Sequence, residues 1–192
     1  WCIGYALSLN FGQFAFLFSA MSFGMPAGLA SLVLQSQAIF TLLFAVLLLK
    51  EAVRPYQVLA IGIAIGGLAV IGFDNEDTTM TALGFGLTLA AGSSWALGNI
   101  FTKIISRKGY DANLNLIVWS SGVPPVPFFL CAYFIDGGDV MWSNIVNLNL
   151  KTLATLAYLS LFATLAGYGL WSYLLSRYPA ATVAPLTLGV PV

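Results

Sequence analysis

From Ala27 to Leu49 the chain carries no charged side chain at all. A helix of that length, at about 1.5 Å per residue, crosses the hydrocarbon of a bilayer. Six more apolar segments keep it company. Together the seven run at 1–23, 27–49, 56–73, 80–104, 113–135, 152–176 and 180–192, separated by short polar breaks. None alternates polar and apolar residues as the wall of a membrane barrel would. The segment around Ile61-Gly62-Ile63-Ala64-Ile65-Gly66-Gly67 is rich in Gly and Ala, which is common in spanning helices.

Composition closes off the soluble alternative. Only 7% of the residues are charged, against about 25% in a soluble domain, and mean hydropathy is +0.91. Seven basic and seven acidic residues give a net charge of zero, which argues against a nucleic-acid partner and makes the lipid bilayer the surrounding medium. At about 20 residues per span the chain holds six or seven helices. It opens on Trp1 and closes on Val190-Pro191-Val192, both inside apolar runs. The expectation is an all-α integral membrane protein, a stretch of a longer reading frame with six full helices and part of a seventh.

Charge supplies an orientation. The breaks after the second, fourth and sixth segments hold Lys50, Arg54, Lys103, Arg107, Lys108 and Arg177. The other breaks hold Lys151 with Asp74, Glu76, Asp77, Asp136 and Asp139, while Glu51 and Asp111 stand on the basic side. By the positive-inside rule the basic side is cytoplasmic and the first helix runs outward. A repeat is also visible. At a shift of 179 − 26 = 153, the run Ser19 to Ala27 meets Ser172 to Ala180, with Ser, Pro and Ala coinciding. The copies lie five spans apart, an odd number, so they are inverted relative to each other, as in many secondary transporters.

Polar residues inside spans usually face a cavity or another helix. Thr88, Gly92, Trp95, Asn99 and Thr102 share one face of the fourth helix. Asn99, with two donors and an acceptor, could hold the carboxylate or amine of a zwitterion, and Trp95 could wall the pocket. Hydrogen bonding between helices is the competing use of Asn99. Asn10 and Gln13 share a face of the first helix. Gln35 and Gln37, two apart, point to different sides of the second, and Gln35, a turn from Ser31, is the one expected at a cavity. Thr164, Tyr168 and Trp171 form a stripe on the sixth. The candidate substrate-binding residues are therefore Asn99, Trp95, Gln13, Gln35, Tyr168 and Trp171, with plain packing the alternative for each.

Other features read more simply. The chain has no His, and all its carboxylates are expected in loops, so this stretch offers no proton relay within the bilayer. Lys103 is expected to snorkel to the headgroups. Pro124, Pro125, Pro127, Pro185 and Pro191 are expected to kink their helices. Gly62 and Gly66 suit packing inside the bundle, with a homodimer contact the other use. Cys2 and Cys131 belong to opposite sides of the bilayer, which makes a disulfide implausible, and no metal or cofactor site is expected. Asp74-Asn75-Glu76-Asp77 lacks the spacing of a calcium loop.

Four stretches carry a resemblance. They are Gln13 to Phe18, Phe23 to Gln35 (with Phe23-Gly24-Met25-Pro26 at its head), Leu87 to Ala91 continued by Ser94-Trp95-Ala96 and Gly98-Asn99-Ile100-Phe101, and Gly167 to Trp171 ending in Val183-Ala184-Pro185-Leu186. They resemble the EamA branch of the drug/metabolite transporter superfamily, and within it the exporters of O-acetylserine and cysteine. The resemblance implies ten helices in two inverted five-helix repeats. Residues 1–75 would close the first repeat (helices three to five), and 76–192 would open the second (helices six to eight and the start of nine). It also implies a bacterial inner-membrane exporter of O-acetylserine, cysteine or related amino acids. Other substrates of the superfamily, including other amino acids and drugs, are the alternative. A membrane enzyme would need a catalytic constellation that these residues do not supply. A membrane scaffold would need no polar stripe.

Overall fold

The computed structural model describes residues 1–73, 80–110 and 114–189. Among these residues every regular element is helical. The elements are α1 (Cys2–Ser22), α2 (Ala27–Leu49), α3 (Pro55–Phe73) and α4 (Ala82–Arg107). Then come α5 (114–135, broken between Leu114–Ser121 and Pro125–Ile135), α6 (Gly138–Val146), α7 (Leu150–Arg177) and α8 (Ala180–Val183 continued by the 3₁₀ turn Ala184–Gly189). Four helices among the described residues, α1, α2, α5 and α7, are both long and apolar enough to cross a membrane. The ends fall within a turn of the apolar segments read from the sequence. Residues 74–79, 111–113 and 190–192, which include the acidic run at 74–77, Asp111, Pro191 and the expected repeat boundary at 75/76, lie outside the described residues.

α4 is the axis of the bundle. Its 26 residues make it about 39 Å long. It is more polar than its neighbours because much of its surface meets protein instead of lipid. Thr81 caps its start, the hydroxyl accepting from the Gly84 amide at 3.0 Å. Small residues then let α1 and α2 approach from two sides. A methyl group on Gly98 would lie 2.6 Å from Leu9 Cβ of α1, and one on Gly92 would lie 2.6 Å from Ser36 Oγ of α2. Ser94 donates to the Ser8 carbonyl at 2.8 Å. Apolar clusters fill the space between: Tyr5, Leu9, Ile105, Leu116 and Ile117 on the α1 side, and Ala45, Ile100, Leu175, Ala180 and Val183 on the α2 side.

The three basic breaks come together in three dimensions. Arg107 donates to the Leu49 carbonyl at 2.9 Å and Ser106 to the Ser176 carbonyl at 3.1 Å. The breaks after α2, α4 and α7 thus meet at one end. At the other, the Thr81 hydroxyl donates to the Phe23 carbonyl.

The 153-residue shift reappears in the backbone. α2 starts at Ala27 and α8 at Ala180 (180 − 27 = 153), each after a Pro N-cap with ψ of 136°. A π-helical stretch begins at Ala6 in α1 and at Leu159 in α7 (159 − 6 = 153).

Three expectations need correction. The polar break at 136–151 contains a helix, α6, with Asp139 in its first turn, so not every carboxylate sits in a loop. Asp139 suits that place because an acidic side chain complements the exposed amides of a helix N-terminus. Gly62 and Gly66 do not pack inside the described bundle, since a methyl group on either would meet nothing within 4 Å. α3 turns Leu68 and Ile71 inward instead, and that register leaves the glycines outside. Lys103 does not snorkel away: its ammonium donates to the carbonyls of Leu175 at 3.2 Å and Tyr178 at 2.7 Å. The carbonyls at the end of α7 lack partners within their own helix and offer it acceptors inside the protein.

Candidate functional site

Two groups of polar side chains lie in the bundle, and they differ in how completely they are bonded. The first surrounds Asn99, which is 1% exposed. Its amide nitrogen donates to Thr41 Oγ1 at 3.0 Å and Gln37 Oε1 at 3.3 Å, while its oxygen accepts from Trp171 Nε1 at 2.9 Å. Both amide hydrogens and the oxygen are therefore engaged, and the network ties α4 to α2 and α7. Thr88 and Thr102, on the same stripe, donate to carbonyls of their own helix, those of Gly84 and Gly98.

The second group surrounds a cavity of about 280 Å³ between α1, α5 and α7, lined by Asn10, Phe14, Ser121, Pro124, Thr164 and Tyr168, among others. Such a volume sits at the small end of ligand pockets. All three of its walls are irregular. Asn10 belongs to the π-helical stretch Ala6–Gly12, and Thr164 and Tyr168 belong to the stretch Leu159–Tyr168. α5 breaks at Pro124, which caps the new helix begun by Pro125. A π stretch adds a residue to the turn and frees backbone groups, and such stretches recur at functional sites. Asn10 ties α1 to α5 by donating to Ser120 Oγ at 3.0 Å, and Phe11 meets Phe128 edge to face at 4.9 Å.

Beside this chamber polar atoms lack partners. Gln13 is 2% exposed and its side chain bonds to Tyr168, yet its Oε1 has no hydrogen bond, nor does Trp95 Nε1. Trp95 and Tyr168 pack on the same apolar cluster as Tyr5. Buried polar groups are almost always bonded, so two exceptions close to one cavity call for a reason.

The six residues expected at a site are thus divided. Tyr168 lines the chamber, Gln13 touches Tyr168 and Trp95 packs on the same apolar cluster as Tyr168, whereas Asn99 and Trp171 join the closed network. Gln35 sits half-buried in the 3₁₀ turn Leu34–Ser36 with Oε1 unpaired, and it does not line the chamber. Its neighbour Gln37 takes the place in the network. Asn10, Thr164 and the break at Pro124 were visible in the sequence as polar or proline positions, but nothing there joined them into one cavity.

The sequence profile of the EamA-like transporter family matches residues 1–73 and 82–192. The chain belongs to that family. Among curated relatives, it is 46% identical over 192 residues to a protein of Escherichia coli (strain K12) named "Probable amino-acid metabolite efflux pump". It is 44% identical over 194 residues to one of the same name in Salmonella typhimurium. An "Uncharacterized transporter" of Archaeoglobus fulgidus is 29% identical over 168 residues, 86% of this chain and 56% of the relative. The alignments to the first two cover 99% of this chain but 64% of each relative, so this EamA chain spans about two-thirds of their length. No solved structure is matched. Family membership and the four apolar spans make it a multi-pass membrane protein.

Proposed function

We propose that this EamA chain is the central part of an exporter of small amino-acid metabolites, of the O-acetylserine and cysteine type, working by alternating access in a bacterial inner membrane. The observation that carries the reading is the chamber between α1, α5 and α7. Three irregular helices meet there, and unpaired polar atoms of Gln13 and Trp95 lie close to it. A zwitterion with a short polar side chain matches such a chamber in size and in hydrogen-bonding capacity. Gln13 and Tyr168 would bind the substrate, and Trp95 would wall it. Asn99 and Trp171 would hold α4 against its neighbours as the bundle moves.

The repeated π stretches and Pro caps at a 153-residue shift support the inverted repeat. The length of the relatives supports ten helices in all. Residues 1–75 would then complete the first five-helix repeat and 76–192 would begin the second, with α3 and α4 also crossing the membrane. Helices interrupted near the middle of the bilayer are the usual place for a transporter's substrate. The basic end, where α2, α4 and α7 terminate, would be cytoplasmic.

The test is efflux of labelled O-acetylserine and cysteine from cells expressing the complete reading frame. Expression should accelerate efflux, and Tyr168→Phe at equal abundance should slow it several-fold. Unchanged efflux of both compounds, with good membrane expression, would rule out this substrate class.

A further inference from the structure

At the basic end of the bundle lies a larger cavity, of about 600 Å³, bounded by the turn after α2, the last turns of α4 and the turn between α7 and α8. Glu51, Arg54, Lys103 and Arg107 line it together with Gln57 and Ser106. We propose that this cavity is a second binding site, which takes the charged head of an α-amino acid: its carboxylate on Lys103 Nζ and its ammonium on Glu51 Oε2. The choice of an amino acid rests on the exporter reading above; the charges that select a zwitterion do not.

The backbone puts Glu51 there. Lys50 adopts φ 55°, a left-handed conformation that few side chains take up, and the Glu51 amide bonds back to the Ala45 carbonyl at 3.1 Å. The reversal is a helix-terminating turn, and it carries Glu51 back to the bundle. Its side chain is 8% exposed. Oε1 accepts from Arg107 at 3.0 Å, whereas the buried Oε2 has no partner. A carboxylate oxygen removed from water without a donor is costly.

Lys103 stands close enough to Glu51 and Arg107 to feel both charges. Two of its three N–H groups reach the Leu175 and Tyr178 carbonyls, which leaves the third for a ligand.

The charge balance then discriminates between ligands. Arg54, Lys103 and Arg107 face a single carboxylate, so the cavity favours an anion. A simple anion would still leave Glu51 Oε2 without a donor and would be repelled by it. A simple cation would supply the donor but face three positive groups. A zwitterion satisfies both. Arg107 is 46% exposed and is the side chain that can swing aside to admit the ammonium. Its departure would also release its bond to the Leu49 carbonyl, which ties α2 to α4.

The test uses the complete reading frame in detergent, with Cys2 and Cys131 replaced by Ser and an environment-sensitive fluorophore attached at Thr182→Cys on the cavity wall. L-Cysteine, cysteamine (no carboxylate) and 3-mercaptopropionate (no ammonium) are titrated under reductant. L-Cysteine should bind at least tenfold more tightly than either analogue, as charge-assisted hydrogen bonds allow. Lys103→Gln should close the gap to cysteamine and Lys103→Arg should restore it, while Glu51→Gln should close the gap to 3-mercaptopropionate.

Absence of a saturable response, 3-mercaptopropionate binding as tightly as L-cysteine, or gaps that persist in both variants would overturn the proposal. Efflux separates it from the exporter reading. A charge-selective titration without cysteine efflux keeps this site and removes the exporter. Efflux without a titration does the reverse.

Discussion

The network around Asn99 and the chamber beside Gln13 are built from the same residue types and do opposite things with them. Around Asn99, an amide, a second amide, a hydroxyl and an indole satisfy one another and fasten three helices. Beside the chamber, an amide oxygen and an indole stay unpaired while the helices around them lose their regular turn. Polarity in a span therefore does not identify a substrate site. What separates glue from site is whether the hydrogen bonds close within the protein, and that depends on partners distant in the chain.

The largest effect should come from damaging the wall that both regions share. Gly98→Leu would drive a side chain into Leu9, whose Cβ already lies 2.6 Å from the place of a first methyl. Overpacking of this kind costs about 1–3 kcal/mol or more. Both regions should fail together, seen as loss of monodisperse protein in detergent and loss of efflux. If the variant stays folded and active, α1 and α4 do not meet as described.

Asn99→Leu comes next. It strands Trp171 Nε1 and removes the bonds to Thr41 and Gln37, for a cost of about 1–3 kcal/mol. Its thermal midpoint should fall clearly, with efflux lost only in proportion to the folded fraction. A variant of native midpoint that has lost efflux would move Asn99 from the network to the substrate path.

Gln13→Leu should show the converse. It removes an acceptor that has no partner and a single hydrogen bond to Tyr168, so stability should fall by no more than about 1 kcal/mol, whereas efflux should fall about tenfold. A large drop in midpoint would make Gln13 structural and erase the contrast.

The smallest effect belongs to Thr102→Val. Its hydroxyl is bonded only within its own helix, to Gly98 at 3.1 Å, and such a bond adds little to a helix. Midpoint and efflux should both stay close to the parent's.

Much of the fold could be read from the sequence because spans and breaks are written in hydrophobicity and charge. The sorting of Lys103, Arg107 and Arg177 to one end needed no structure, nor did the match of Pro26 to Pro179. α6 was missed because Gly137, Gly138, Asp139 and Asn144 read as a polar loop, and nine residues give a weak periodic signal. The site was harder. Thr164, Tyr168 and Trp171 share a stripe at regular helical spacing, but the π stretch that ends at Tyr168 changes the phase. Tyr168 therefore meets the chamber and Trp171 turns to Asn99. The 3₁₀ turn at Leu34–Ser36 shifts the phase in α2 just before Gln37, the glutamine found in the network in place of Gln35. Residue type does not announce either irregularity, and no local pattern would send Lys103 to a carbonyl at Tyr178.

The most direct measurement is substrate protection of a single cysteine in the chamber. With Cys2 and Cys131 replaced by Ser, Thr164→Cys is labelled by a membrane-permeant maleimide in the presence of increasing O-acetylserine, and Thr41→Cys in the Asn99 network serves as the control. The account predicts that labelling at position 164 slows progressively to a plateau, while the control does not respond. Labelling at 164 that is indifferent to O-acetylserine and to cysteine sulfinate, a thiol-free analogue of cysteine, in a variant that still exports, would contradict it: the substrate would then travel elsewhere.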